Sequence, residues 1–322
     1  MIKHRVVAFL CATLALSALA TNRVTVVTIV GAGGEEEFQK EFETAAGHWE
    51  RAAKEAGAEY IEIGLGPATN TNALGALQAA LGSIPAASAE PLWLVLLGHG
   101  TFDGKAAKFN LRGPDFSAAE LEQWVGRFHR PLAIINTASA SAPFLTQLSR
   151  SNRVVITATR SGSEQNYARL GKHLSAAIAD PQADLDKDGQ TSLLEAFLTG
   201  ARRTADFYSG EGRLATEHAL IDDNGDKIGT PADWFRGVRA VKKPEKGGAV
   251  DGLRAHQIHL VRSEAERRLP PEVRARRDNL ELQIAALREA KEKMDEEEYY
   301  RRLEPLLLEM ARLYENVDAS SD

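Results

Sequence analysis

The stretch Pro91–Gly100 constrains the fold of this chain more than any other. It reads Pro-Leu-Trp-Leu-Val-Leu-Leu-Gly-His-Gly, a short apolar run that glycine ends. Such a run is typical of a strand buried on both faces, as in a parallel sheet covered by helices. The strand presents His99 between two glycines. Because ligands bind at the carboxyl ends of parallel strands, His99 is a candidate functional residue. The alternative is a histidine that closes the strand by hydrogen-bonding a loop carbonyl.

Other apolar runs alternate with helical patterns along the chain. The runs that predict strands are Val24–Val30, Tyr60–Ile63, Pro131–Ile135 and Arg153–Thr159. The segments that predict helices are Glu35–Ala56, Asn72–Leu81 and a helix that begins at Ser117, where Glu120 completes a capping box. This alternation predicts an α/β fold with a doubly wound, mostly parallel sheet and helices on both faces. The His99 strand and the turn after Ile135 would then face one crevice.

Residues 1–20 have the organisation of a secretory signal peptide. A basic start is followed by the apolar run Val6–Ala20, which ends in small residues. A membrane span needs about 20 apolar residues, so an uncleaved anchor is the less favoured alternative. We therefore expect cleavage after Ala20, an exported protein in the periplasm or outside the cell, and no membrane span after cleavage.

Cysteine usage and charge exclude several functions. The only cysteine is Cys11, within the predicted signal peptide. The mature chain would therefore contain no disulfide, no thiolate metal site and no cysteine nucleophile. The formal net charge is -6, which argues against non-specific binding of nucleic acid.

Three motifs between Pro91 and Arg160 carry a family resemblance. They are the strand that ends in Gly-His-Gly, the strand that ends in Asn136 and runs into a Ser/Ala-rich turn, and the strand Arg153–Thr159 with its Val-Ile-Thr-Ala-Thr end. Together they resemble the caspase-like cysteine peptidases, with the legumain family as the closest match. The resemblance spans roughly Val24 to Phe235 and implies a caspase-like fold.

The resemblance also implies roles for individual residues. In that family a histidine acts as general base or acid, and a cysteine two residues beyond an acidic position attacks the peptide carbonyl. The histidine corresponds to His99, Asn136 takes the acidic position, and the nucleophile position is Ala138. Alanine offers no heteroatom for attack. The resemblance therefore implies a domain that has lost cysteine-peptidase chemistry, in which His99 is a relic base.

Two nearby serines leave an alternative open. Ser139 or Ser141 could act as a nucleophile with His99 as its base, which would make the protein an active hydrolase. However, side chains alternate in an extended segment, so Ser139 would point away from the direction of Ala138. The remaining interpretation is that small residues simply form a tight turn.

The segment 184–195 has the pattern of an EF-hand calcium loop. It reads Asp-Leu-Asp-Lys-Asp-Gly-Gln-Thr-Ser-Leu-Leu-Glu, with glycine at the sixth position for a sharp turn. Calcium prefers about six to eight oxygen ligands. The predicted ligands are Asp184, Asp186, Asp188, the backbone carbonyl of Gln190, Ser192 and Glu195. Without a convincing second loop, this would be a lone site that stabilises the fold. The alternative is an acidic surface loop without a metal.

The segment Asp222–Asp226 is a weaker candidate for a partner loop. It reads Asp-Asp-Asn-Gly-Asp, but Lys227 stands at the sixth position, where a calcium loop has glycine. Asn224-Gly225 lies between two apolar runs, which is typical of a tight hairpin turn. We therefore predict a hairpin here.

The domain organisation follows from composition. Residues 21–241 form the predicted α/β domain with the loop 184–195, residues 242–252 a linker, and residues 253–322 a C-terminal helical, coiled-coil-like segment.

Within the C-terminal segment, Arg254–Val261 is a possible last strand. Apolar residues then recur at helical spacing, and Asp295 with Glu298 makes a capping box between two helices. This pattern predicts a helical hairpin, whose second helix Pro305 should kink. The hairpin is either a docking arm that allows self-association through residues 272–316, or it packs on its own domain.

The sequence as a whole predicts an exported calcium-binding domain without cysteine-peptidase activity. It would bind an unidentified peptide or protein in the crevice, or act as a scaffold through its tail. The alternatives are an active hydrolase that uses Ser139 or Ser141 with His99, and a purely structural envelope protein with a closed crevice.

Overall fold

The computed structural model describes residues 23–66, 71–244 and 249–319, with side chains described as far as residue 315. The predicted signal peptide at 1–20, with Cys11, lies outside the described residues, as do residues 245–248 of the predicted linker. Every helix in the described ranges is too short or too polar to span a lipid bilayer.

The described residues alternate between strands and helices, as the sequence predicts. The strands are β1 (Thr25–Val30), β2 (Glu59–Ile63), β3 (Leu92–Leu97), β4 (Gly100–Phe102), β5 (Ala107–Phe109), β6 (Phe116–Ser117), β7 (Leu132–Asn136), β8 (Arg153–Thr157), β9 (Leu220–Asp222), β10 (Thr230–Pro231), β11 (Phe235–Arg236) and β12 (Arg239–Ala240). The α-helices are α1 (Glu36–Glu55), α2 (Ala73–Ser83), α3 (Ala118–Val125), α4 (Ala142–Leu148), α5 (Leu170–Ala177), α6 (Leu193–Gly210), α7 (Leu253–Gln257), α8 (Glu264–Arg268), α9 (Pro271–Ala290) and α10 (Glu296–Ala319).

The central sheet has the strand order β10-β9-β8-β7-β3-β1-β2. Strands β2, β1, β3, β7 and β8 are parallel, whereas β9 is antiparallel to β8 and β10 is antiparallel to β9. The predicted mostly parallel α/β fold is therefore confirmed. Strands β3 and β7 are neighbours in register, with Leu96 opposite Asn136, so their carboxyl ends meet at one edge.

Helices cover both faces of this sheet. Along β3, Trp93 and Val95 face a core that includes Trp49 of α1 and residues of α5 and α6. The alternate residues Leu94 and Leu96 face a second core built from α2, α3 and α4. Because every β3 side chain is buried on one face or the other, the strand reads as a continuous apolar run.

Local sequence sets the start of two helices. Helix α3 begins at the predicted capping box, in which Ser117 accepts the amide hydrogen of Glu120 and the Glu120 carboxylate accepts that of Ser117. Helix α6 begins at a second capping box, formed by Ser192 and Glu195. Each cap satisfies amides at a helix end that would otherwise lack partners.

The predicted strand at Arg254–Val261 is wrong. Leu253–Gln257 forms the short helix α7, and the strand-like pairing is limited to a single bridge between His259 and Ser192. The Asp223 carboxylate accepts the amide hydrogens of Gly252 and Ala255 at 3.0 and 2.8 Å and so caps the helix. The cap comes from a distant hairpin, which local sequence does not reveal.

The predicted C-terminal helical hairpin is confirmed. Helices α9 and α10 are antiparallel neighbours, Leu280 of α9 and Tyr299 of α10 are buried, and Arg276 pairs with Glu309 across the hairpin. The hairpin is also anchored to the rest of the chain, since Arg274 of α9 pairs with Glu90 at 3.0 Å.

Candidate functional site

His99 follows β3 after a single residue, Gly98, and its ring is half-buried. Its Nε2 atom is 3.1 Å from the carbonyl oxygen of Gly33, so Nε2 donates this hydrogen bond. The rings of Phe38, Phe42 and Tyr167 lie edge-on to it, with centroids at 5.3, 5.3 and 5.8 Å. The imidazole is thus held by aromatic contacts, and Nδ1 is the ring nitrogen left to accept a proton.

The two glycines around His99 allow close packing at the strand end. A Cβ atom on Gly100 would lie 2.2 Å from the carbonyl oxygen of Ser139. A Cβ atom on Gly98 would lie 2.8 Å from the ring of Phe109. The Gly-His-Gly motif therefore brings the end of β3 against the turn that follows β7.

That turn buries the position at which the resemblance expects a nucleophile. Asn136 ends β7, and its Oδ1 accepts the amide hydrogen of Ala138 at 3.1 Å. Ala138 is 1% exposed, and its methyl group belongs to the second core. Ala140 has a φ of +52°, so the backbone turns through the left-handed region.

Both serine hydroxyls of the turn are bonded to backbone groups. The Ser139 hydroxyl accepts the Gly100 amide hydrogen and donates to the Gly100 carbonyl, each at 3.1 Å. The Ser141 hydroxyl accepts the amide hydrogens of Ala158 and Thr159 at 3.0 and 3.3 Å. Within the described part of the chain, neither hydroxyl is hydrogen-bonded to His99. A serine nucleophile requires such contact with its base.

Tyr167, which the sequence did not single out, contacts the His99 ring and is itself held by Glu41. Tyr167 stacks on Phe38 at 4.4 Å and donates a hydrogen bond to Glu41. Burial and the neighbouring Glu41 carboxylate raise the pKa of Tyr167. Burial opposes ionisation of Glu41, but hydrogen bonds from Tyr167 and Lys172 lower its pKa below the ordinary value. Helical spacing reveals Phe38 and Phe42, whereas no local pattern reveals Tyr167.

The loop 184–195 brings its predicted carboxylates together. One oxygen from each of Asp184, Asp186 and Asp188 lies within 4.8 Å of the others. Asp184 is fixed by the amide hydrogens of Lys187 and Gly189, at 2.6 and 3.1 Å. Gly189 has a φ of +88°, which explains the glycine at this position.

Glu195 closes the loop from the start of α6. Its side chain is fully buried, and Oε1 accepts the amide hydrogens of Leu185 and Asp186 at 2.7 and 3.2 Å. Oε2 accepts the amide and hydroxyl hydrogens of Ser192, both at 2.8 Å. Carboxylate oxygens gathered in this way suit a hard divalent cation such as Ca²⁺.

Two histidines from the C-terminal segment lie beside this loop. The Nε2 atom of His256 is 2.9 Å from Oδ2 of Asp186. His259 forms the bridge to Ser192, and Leu193 donates its amide hydrogen to the carbonyl of Ile258 at 2.8 Å. The loop therefore pairs with a distant segment of the same chain.

Comparison with known proteins finds similarity in structure. No model of a protein family matches the chain, and no curated protein sequence matches it significantly. The structure is similar to that of caspase-1 from Spodoptera frugiperda, with a TM-score of 0.40 and 8% sequence identity. The match covers 63% of this chain and 86% of that one. The functional assignment therefore rests on the geometry of the two sites.

Proposed function

We propose that this chain is an exported, calcium-binding domain of the caspase-like type, related to the legumain family, that has lost cysteine-peptidase chemistry and binds a protein partner. The observation that carries the proposal is the buried turn after β7. Ala138 occupies the expected nucleophile position, and the hydroxyls of Ser139 and Ser141 are both committed to backbone groups.

The geometry of the turn supports the loss of catalysis. If Ser139 rotated toward His99, it would break both of its hydrogen bonds to Gly100. A buried amide left without a partner costs about 1–3 kcal/mol. No such cost would arise in a site where the nucleophile is already in contact with its base. Ser139 therefore acts as a clamp between two strand ends.

The acidic loop supports calcium binding. The ligands would be the side chains of Asp184, Asp186, Asp188, Ser192 and Glu195 with the backbone carbonyl of Gln190. Carboxylates within a few ångströms repel one another, and a divalent cation removes this repulsion. An exported protein meets high calcium concentrations, so a site of modest affinity would be filled.

The helical hairpin supports a role in binding a protein. Helix α10 exposes four large apolar side chains, Tyr300, Leu307, Leu308 and Tyr314. Exposed apolar groups of this kind mark interaction surfaces. By contrast, aromatic rings and the serine turn occupy the surroundings of His99. We therefore place the partner on the tail, with self-association through residues 272–316 as one form of it, and not in the relic crevice.

The first test is reaction of the purified, calcium-loaded protein with a broad fluorophosphonate probe for serine hydrolases. We expect no labelling of the wild-type protein. Labelling that disappears in His99→Ala would replace the proposal with an active hydrolase that uses Ser139 or Ser141. Calcium titration calorimetry on the wild type and on Asp188→Asn tests the metal, and the variant should lose the heat that the loop 184–195 contributes.

A further inference from the structure

The loop between β9 and β10 is longer than its sequence predicts. The predicted hairpin is present, with Ile221 opposite Thr230. However, the strands end at Asp222 and resume at Thr230, so residues 223–229 form the connection in place of a tight turn at Asn224-Gly225. We propose that this loop is a second binding site for a calcium-like divalent cation, with Asp222, Asn224 and Asp226 as its side-chain ligands.

A buried oxygen of Asp226 points to a missing ligand. Oδ1 of Asp226 accepts the amide hydrogen of Ile228 at 2.8 Å. Oδ2 of the same carboxylate is buried and has no hydrogen-bond partner. A buried carboxylate oxygen without a donor or a cation is costly, and buried polar atoms almost always have a partner. A bound cation would supply that partner.

Several buried carboxyl groups lie around the loop. Asp222 and Asp223 are 1% and 3% exposed, and Asp251, at 3%, accepts the amide hydrogen of Asp223. Among the described residues, none of these three carboxylates forms an ion pair with Lys or Arg, and neither does Asp226. Burial of several carboxyl groups close together, without a direct ion pair, is unfavourable. A bound divalent cation would offset the electrostatic cost of this burial.

The first position of this loop is held in the same way as in the loop 184–195. The Asp222 carboxylate accepts the amide hydrogens of the fourth and sixth loop residues, Gly225 and Lys227, each at 2.9 Å. Asp184 accepts those of its own fourth and sixth residues at 2.6 and 3.1 Å. Lys227 has a φ of +68°, in the left-handed region that Gly189 occupies at +88°.

The third and fifth positions also correspond. The Asn224 side-chain oxygen accepts the amide hydrogen of Asp226 at 2.8 Å, and the equivalent bond in the loop 184–195 measures 3.3 Å. The bond from the seventh amide to the fifth carboxylate measures 2.8 Å here and 3.0 Å there. The two loops thus have the same backbone course around their side-chain oxygens, although lysine replaces glycine at the sixth position.

The chemistry of the ligands indicates the ion and its affinity. Two carboxylates and an amide oxygen are hard ligands, which suit Ca²⁺. The twelfth position is Asp233, which is exposed in the 3₁₀ helix Ala232–Trp234, so this loop has no buried closing carboxylate like Glu195. We therefore expect weaker binding here than at the loop 184–195.

The test is calcium titration calorimetry on the purified full chain after treatment with a chelator. We expect two equivalents of Ca²⁺ for the wild type, one for Asp226→Asn, one for Asp188→Asn and none for the double variant. The Asp226→Asn substitution keeps the Oδ1 acceptor for the Ile228 amide but replaces the unpartnered oxygen with an NH₂ group. As a matched control, Asp206→Asn removes an exposed carboxylate of α6 and should leave two equivalents.

The outcomes separate this site from the calcium site of the proposed function. One equivalent that Asp188→Asn abolishes and Asp226→Asn leaves intact would overturn the second site alone. One equivalent that Asp226→Asn abolishes and Asp188→Asn leaves intact would support the second site and would show that the loop 184–195 does not bind calcium. No binding by the wild type would overturn both.

Circular dichroism would show whether Asp226→Asn is folded. If it is not, a second variant tests the site independently. Lys227→Gly should tighten the weaker of the two binding steps at least threefold, because glycine adopts a positive φ without strain. An unchanged or weaker affinity in this variant would contradict a cation held by this loop.

Discussion

Ser139 and Gly100 form a reciprocal pair of hydrogen bonds, in which the serine hydroxyl accepts the glycine amide hydrogen and donates to the glycine carbonyl. The pair joins the turn after β7 to the residue that follows His99. It holds the turn after β7 against the end of the Gly-His-Gly motif, without a hydrogen bond between the Ser139 hydroxyl and the His99 ring. Ser139 therefore belongs to the structure of the site, and its removal should affect stability.

We expect Ser139→Ala to lower the free energy of unfolding by about 2 kcal/mol, because both backbone groups of Gly100 lose their partner in a buried setting. Urea denaturation measures this change. Ser163→Ala is the matched control, since Ser163 is exposed, and it should change stability by less than about 0.5 kcal/mol. Unchanged stability in Ser139→Ala would contradict the clamp.

Calcium should stabilise the protein through Glu195. A ligand that binds the native state alone adds about 2.7 kcal/mol at a concentration one hundred times its Kd. Glu195→Gln should lose most of the calcium-dependent rise in Tm that the loop 184–195 provides, because the neutral amide replaces the buried carboxylate that closes this loop. Differential scanning calorimetry with calcium and with chelator measures the rise. Glu211→Gln, an exposed neighbour of α6, is the control, and an equal loss in both variants would refute this role.

Stability without calcium should fall as pH rises, because of Asp251. Burial and the nearby Asp223 carboxylate raise the pKa of Asp251 to about 8. The unfolded chain has the ordinary value near 4, so folding favours the protonated form. The contribution of the protonated Asp251 carboxyl to the free energy of unfolding is fully present below about pH 4 and is lost as pH rises toward 8. The slope of this loss is at most about 1.4 kcal/mol per pH unit.

Asp251→Asn checks this pH dependence. The variant mimics the protonated carboxyl, so it should flatten the profile of unfolding free energy in chelator between pH 5 and 8 and be more stable than the wild type at pH 8. Asp206→Asn, at an exposed position, should keep the wild-type slope. Parallel profiles for the wild type and Asp251→Asn would show that Asp251 is not responsible.

Self-association should depend on the exposed apolar side chains of α10. Leu307→Glu places a charge beside Tyr300 and Leu308 and should shift an oligomer to monomer in sedimentation velocity. Arg312→Glu changes an exposed charge on the same helix and should leave the oligomer intact. A wild-type protein that remains a monomer at high concentration would rule out a second copy and leave a different protein as the partner.

Sequence alone was sufficient for the elements whose causes are local. The apolar run of β3 predicts a strand buried on both faces because each of its side chains lies in one of two cores. The capping box at Ser117 and Glu120 lies within four consecutive residues, and so it can be read directly. The spacing of acidic residues in the loop 184–195 likewise predicts the convergence of Asp184, Asp186 and Asp188.

Tertiary structure decided the features whose causes lie far apart in the chain. Helix α7 replaces a predicted strand because Asp223 caps it from the β9–β10 hairpin. Tyr167 contacts His99 and Phe38 although all three lie far apart in the sequence, so the contact depends on the assembled fold. The conformation of Lys227 at positive φ is hidden in the sequence, because lysine rarely adopts it and the surrounding loop must impose it. Local sequence thus determined the parallel strands of the central sheet, the capping box of α3 and the acidic loop, while long-range contacts decided how the residues of the site are oriented.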